Sequence, residues 1–220
     1  MDIYLSSAYL APVQYYTKFL LARRVFVEQN DNYIKQTYRN RCTIASANGG
    51  ISLSIPVEHS SKDKIRMKDT RIARHGNWQQ MHWNTMASAY GSSPFFEYYQ
   101  DDFHPFYHRK YSFLFDFNEE LRNLVLGLLD FDLPQIEYTT AYKEDFFDTE
   151  SDFRELIHPK KDWRSSDRDF LPAPYYQVFE QRFGFTANMS IVDLLFNMGN
   201  ESRIILDGSI PRCLKKNKEF

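Results

Sequence analysis

Between Tyr33 and Ile44 the chain reads Tyr33-Ile34-Lys35-Gln36-Thr37-Tyr38-Arg39-Asn40-Arg41-Cys42-Thr43-Ile44, with a lysine, two arginines, two amides and two tyrosines in close succession. Guanidinium forks at this density suit planar anions, because two parallel N–H groups match two carboxylate or phosphate oxygens. In an extended segment residues 39 and 41 face the same way. Arg39 and Arg41 are therefore a candidate clamp for one phosphate or carboxylate, with Lys35 in support. Asn40 faces the other way, toward substrate or the loop's own backbone. The competing reading has both arginines in structural ion pairs with Glu28, Asp31 and other carboxylates. Glu28 is itself the candidate general base, unless an adjacent arginine makes it only an ion-pair partner. Tyr9 and Tyr15 offer rings with polar tips to a cleft. Asp193 interrupts the apolar run Ile191-Val192-Asp193-Leu194-Leu195. It needs a partner, either an arginine of the 33–44 segment or the start of its own helix. His82 falls on an apolar helical face and reads as core. His104 and His108 are four apart but lack a third ligand, so no metal site is expected. No glycine-rich phosphate loop, dinucleotide fingerprint or nucleophile elbow is present, and no cofactor is called for.

The elements that must position these residues follow from pattern. Ile3–Leu10 predicts a buried strand, Pro12–Ala22 a helix opened by proline, and Arg24–Glu28 a second strand. Together they form a βαβ unit with parallel strands, whose crevice lies beyond the carboxyl ends, near Tyr9 and Glu28. Residues 42–47 and 51–57 alternate with period two around Asn48-Gly49-Gly50, which predicts a β-hairpin. Residues 58–64 are a polar loop, and Ile65–Ile72 a further short strand. Trp78, Met81, His82, Thr85, Met86 and Ala89 share a helical face. A second helix starts at Ser92-Ser93-Pro94, and a third is capped by Asp116-Phe117-Asn118. Ile136–Ala141 reads as a late strand. Residues 143–174, dense in charge and proline, read as a long surface excursion with one short helix over Ser151–Ile157. Tyr176–Phe183, ended by Gly184, and Ser190–Met198 are the closing helices. The expectation is an α/β fold. Its N-terminal βαβ unit and β-hairpin lie in a mostly parallel or mixed sheet flanked by several helices, with residues 1–210 as a single domain and 211–220 as a disordered basic tail.

Composition narrows the partners. A formal net charge of −2 provides no basic field to recruit nucleic acid. Cys42 and Cys213 are far apart and show no metal-ligand spacing, which suits free thiols in a reducing compartment. Met1-Asp2-Ile3-Tyr4-Leu5-Ser6 lacks a basic region followed by an apolar run, and no apolar stretch is long enough to span a membrane. The expected location is the cytoplasm, and the expected partner an anionic small molecule.

Several segments, in order, resemble the WbqC-like protein family. Tyr9-Leu10-Ala11-Pro12-Val13-Gln14-Tyr15-Tyr16 is similar to the family's opening strand-to-helix turn. Glu28 to Arg41 resembles its acidic strand end followed by a lysine and an Arg-Asn-Arg element. Leu53-Ser54-Ile55-Pro56-Val57, Ala89-Tyr90-Gly91-Ser92-Ser93-Pro94-Phe95-Phe96-Glu97 and Ser190-Ile191-Val192-Asp193-Leu194-Leu195-Phe196-Asn197 resemble later family segments. The chain departs from the family at Ala8-Tyr9, where Gln-Pro is common, at Gln14, where glycine is common, and at Glu28-Gln29, where an acidic pair is common. The family is associated with surface-polysaccharide (O-antigen) gene clusters. The resemblance therefore implies a transferase- or ligase-type enzyme that takes an activated donor in glycan assembly. The alternative is a non-catalytic binding protein or scaffold with structural arginines.

Overall fold

Asp2–Ser6 forms β1, every residue of it buried but the last, and Arg24–Glu28 forms β2 beside it. Between them Pro12 occupies the N-cap of α1 (Val13–Leu21), where its missing N–H costs nothing. The computed structural model describes residues 1–58 and 64–215. In it β1 pairs with β2 in parallel register, from Asp2 opposite Arg24 to Ser6 opposite Glu28. The expected βαβ unit is present. β1 stops at Ser6 rather than Leu10, because the chain turns there. Leu10 adopts a left-handed φ of 39°, and the Tyr9 N–H bonds to the Tyr38 carbonyl instead of a neighbouring strand.

The hairpin is β3 (Arg41–Ser46) and β4 (Gly49–Ser54), a separate two-stranded antiparallel sheet. Gly49 takes φ +100° in its turn, a value that favours glycine. The 65–72 segment differs from expectation. It is a 3₁₀ turn over Met67–Asp69 held by single bridges, Asn32 to Arg66 and Val57 to Ile72. Residues 59–63 of the polar loop lie outside the described residues. Helices α2 (Trp78–Tyr90), α3 (Phe96–Phe103) and α4 (Leu114–Leu129) follow. α4 begins two residues before Asp116, which sits in its first turn, where the dipole favours a carboxylate.

β5 (Gln135–Tyr138) adds to β2, and a strand within 143–174 adds to β1. That region is not a surface excursion. β6 (Glu150–Asp152) replaces the short helix expected there and completes a four-stranded parallel sheet of order β5-β2-β1-β6. Phe153, Ile157 and Phe170 enter the core. α5 (Trp163–Ser166) follows, and the adjoining Asp167 pairs with Lys18 of α1 at 2.7 Å, both side chains fully or almost fully buried. The next helix is only α6 (Glu180–Phe183), capped by Gly184 at φ 70°. α7 (Ile191–Met198) and α8 (Ser202–Gly208) close the core. The tail starts as a helical turn, α9 (Arg212–Lys215), and residues 216–220 lie outside the described residues. Among the described residues no helix is long and apolar enough to cross a membrane.

Candidate functional site

All four strands of the main sheet run in one direction, so their carboxyl ends share one edge, where open α/β sheets place ligands. Four ends meet there: Ser6 at the end of β1 with Ser7 after it, Glu28 at the end of β2, Thr139 after β5 and Arg154 after β6. Glu28 is completely buried. Its Oε1 accepts from Thr139 Oγ1 at 2.6 Å and from the Asn30 N–H at 2.8 Å, and its Oε2 accepts from Arg154 Nη1 at 2.8 Å. Arg154 also donates to both Asp152 oxygens, at 2.9 and 3.0 Å, and to the Lys143 carbonyl at 2.7 Å. Its guanidinium lies 4.3 Å from the Tyr142 ring centre and 5.0 Å from that of Phe146. The arginine is thus locked in place on all sides.

The second network is built on Arg39. Its Nη2 donates to Asp31 Oδ2 at 2.5 Å, to Ser6 Oγ at 3.0 Å and to Glu155 Oε1 at 2.7 Å, and its Nε also reaches Asp31 at 3.0 Å. Burial raises the Asp31 pKa, an effect the Arg39 guanidinium opposes. A third pair, Glu119 and Arg122, sits one turn apart on α4, both buried. Burial also raises the Glu119 pKa, with Arg122, Ser7 and Tyr138 acting against it. Neither Glu119 oxygen has a well-formed hydrogen bond among the described residues. A buried ionic pair with unsatisfied oxygens costs stability, and such costs concentrate at sites that use the charge. Tyr15 reaches this edge too, donating to the Ser6 carbonyl at 3.1 Å. Between Ser7, Tyr15, Arg39 and Arg154 lies a cavity of about 10 Å³, room for one water molecule.

Glu28, Tyr15 and Arg39 are therefore brought together at this edge. Arg39 holds carboxylates of the protein itself, so the expected two-arginine clamp does not form. Arg41 stands apart on the hairpin, half-exposed, donating to Ser54 Oγ at 3.2 Å. Lys35 is exposed. Both arginines do act on the Tyr33 hydroxyl, whose pKa is pushed up to about 12 by burial against their influence. Asn40 pins backbone, donating to the Ile55 carbonyl at 2.8 Å.

Two expected site residues lie elsewhere. Tyr9 is a core residue, its hydroxyl 3.0 Å from His82 Nδ1 and 2.9 Å from the Tyr107 hydroxyl. Asp193 has no arginine. It accepts from Tyr90 at 2.8 Å, Tyr175 at 2.6 Å and Gln177 at 2.7 Å. Arg154, Thr139, Glu119 and Arg122 were not singled out from sequence. Arg154 lies in the charged 150s, where the one signal is three apolar residues, Phe153, Leu156 and Ile157, among charged ones.

Burial lowers the His82 pKa to about 4, which the Ser54 carbonyl opposes. The unfolded chain protonates this ring first, near pH 6.5. Its contribution to stability is therefore present above pH 6.5 and lost as pH falls toward 4, by about 3 kcal/mol in all. Asp31, Glu119 and Asp193 have raised values, so their contributions run the opposite way. The comparison is therefore between wild type and His82→Gln: melting temperatures between pH 7.5 and pH 4.5 are expected to converge as pH falls. Parallel curves would contradict the neutral buried ring.

No group of three or more His, Cys, Asp or Glu side chains among the described residues is placed to hold a metal. No curated protein and no solved structure matches the chain. The family model of the WbqC-like proteins matches residues 7–157, a span that contains Glu28, Arg39 and Arg154. With about two thirds of its length so matched, the chain belongs to the WbqC-like protein family.

Proposed function

We propose that the chain is a transferase- or ligase-type enzyme that binds an activated donor through its anionic group, in the assembly of surface polysaccharide such as O-antigen. The observation that carries this reading is a group of cations on and beside the 33–44 segment, whose Arg39 reaches Ser6 at the carboxyl edge of the sheet. Lys35 is exposed two residues after Tyr33, Arg41 acts on the Tyr33 hydroxyl, and the Tyr33 N–H bonds to the Ile65 carbonyl, next to Arg66. Among the described residues none of these three cations has a carboxylate within ion-pair reach, whereas Arg39 and Arg154 are both neutralised by the protein. Cations left without a carboxylate in the same segment as a paired one would attract a phosphate or carboxylate without breaking the internal pairs. In this reading Lys35 and Arg41 hold the donor's anion, Tyr15 lines the crevice and Glu28 accepts the proton of the attacking group.

The second reading is a non-catalytic binding protein or scaffold. The small cavity favours it, since about 10 Å³ admits no substrate without movement.

Thermal shift with nucleoside diphosphate sugars, acyl and aminoacyl donors and inorganic pyrophosphate separates the two. A true ligand at a hundredfold excess over its Kd adds about 2.7 kcal/mol, or roughly 5–10 °C for a chain of this size. Lys35→Ala with Arg41→Ala should weaken that ligand about tenfold or more, with the unliganded melting temperature nearly unchanged. If no donor stabilises the wild type beyond the double variant, the enzyme reading fails and the scaffold stands.

A further inference from the structure

The hairpin is a sheet of only two strands, so both of its outer edges need partners. The Ile55 N–H donates to the Asn40 carbonyl at 2.8 Å. Bonded pairs therefore alternate from that point, and positions 50, 52 and 54 turn their backbone groups away from β3. The outward groups of β3 are used: the Thr43 carbonyl accepts from the Ser190 N–H at 2.9 Å, and the Ala45 N–H donates to the Tyr90 hydroxyl at 3.1 Å. On β4 the Ser54 carbonyl engages His82. Gly50 and Ser52, both exposed, have no backbone partner among the described residues.

Edges are normally protected by charge, proline or a bulge. From Gly49 to Ile55 this strand has none of them. Beside it runs a groove of about 700 Å³ between the hairpin and α2. Asn48 and Ile51 line one side, and Gln80, Met81, Asn84 and Ser88 the other. No lining residue is charged, although 25% of the chain is. Met81 is 60% and Ile51 38% exposed.

We propose that this edge and groove form the interface with a second copy of the chain, β4 pairing antiparallel with the partner's β4 across a two-fold axis. The lack of charge selects the occupant. In an antiparallel self-pairing the strand meets its own sequence, so a charge near the axis lies close to its own copy. A neutral strand tolerates its own copy. Amides both donate and accept, so an amide-lined wall complements an identical wall, while it offers nothing to draw an acidic or basic partner. An axis through Ile51 sets Gly50 opposite the partner's Ser52 and forms about four backbone hydrogen bonds. The result is a four-stranded sheet in place of a marginal two-stranded one.

Light scattering on a sizing column tests this directly. Wild type should show twice the chain's 26.3 kDa at rising concentration. Ser52→Lys and Ser52→Glu should each weaken dimerisation about tenfold or more through like-charge juxtaposition. An equimolar mixture of the two variants should restore the dimer, since the position-52 side chains lie diagonally across the axis. Amide exchange at Gly50 and Ser52 should slow as wild type dimerises. Ser52 is exposed, so both variants should keep the wild-type circular dichroism. A wild type that stays monomeric overturns the proposal, even if the edge captures some other strand. So does a dimer that both single variants leave intact.

Discussion

Arg154→Ala is expected to cost about 3–5 kcal/mol, roughly 10 °C in melting temperature for a chain of this size. The loss does not measure the strength of one ion pair. Glu28 has no exposed surface, and with the guanidinium gone its carboxylate keeps only the Thr139 hydroxyl and the Asn30 N–H. An uncompensated buried charge is the expensive outcome. Asp152, about a third exposed, can turn to water at little cost. The effect should therefore depend on Glu28. In a Glu28→Gln background the same arginine substitution should cost less than half as much, because no charge is stranded. A thermal double-mutant cycle measures this. If the two losses simply add, the pair is not coupled and the crevice is not organised as described. Arg41→Ala, outside the networks, should leave stability within about 0.5 kcal/mol of wild type.

Asp193→Leu is expected to be at least as damaging, at about 3–6 kcal/mol, because three buried donors lose their acceptor together. Tyr90, Tyr175 and Gln177 converge on this carboxylate within the core. Burial raises its pKa against those three donors. Its contribution is therefore largest at acid pH and is lost as pH rises through the folded-state value. Tyr175→Phe should destabilise the wild type by about 1–2 kcal/mol and be almost neutral once Asp193 is leucine. Chemical denaturation at two pH values would show both effects. An Asp193→Leu chain as stable as wild type would remove Asp193 from the core's polar scaffold.

Where apolar periodicity was strong, the fold could be read directly. The βαβ unit, the hairpin and the helices around Trp78 and Ser190 stand where alternation or three-and-four spacing put them. β6 could not be read this way. Glu150-Ser151-Asp152 buries little apolar surface and is held by pairing with β1, while Glu150 and Asp152 bind Lys143 and Arg154. A strand defined by its partners leaves no local signature. The candidate site was half legible for the same reason. Strand direction located the edge, and residue type selected Glu28 and Arg39. That Glu28 meets Arg154 depends on β6, so residue type alone does not select Arg154, and it leaves Arg39 open between a clamp and the ion pair with Asp31 that forms. Asp193 needs a partner, as its apolar run implies, but its partners are the neutral Tyr90, Tyr175 and Gln177.

The turn that follows β1 is closed from very far along the chain. The Val13 N–H bonds to the Met189 carbonyl, the Ile191 N–H to Ala11, and the Ser190 hydroxyl to Leu10, while β1 waits for β6 on its second flank. On a ribosome adding about 5–20 residues per second, some 10–40 s separate the birth of this turn from the arrival of its last partners. Until residues 150–152 emerge, β1 has β2 as its one strand partner. Such long-range closure slows folding, and it makes the nascent N-terminal strand the natural point of engagement for a chaperone.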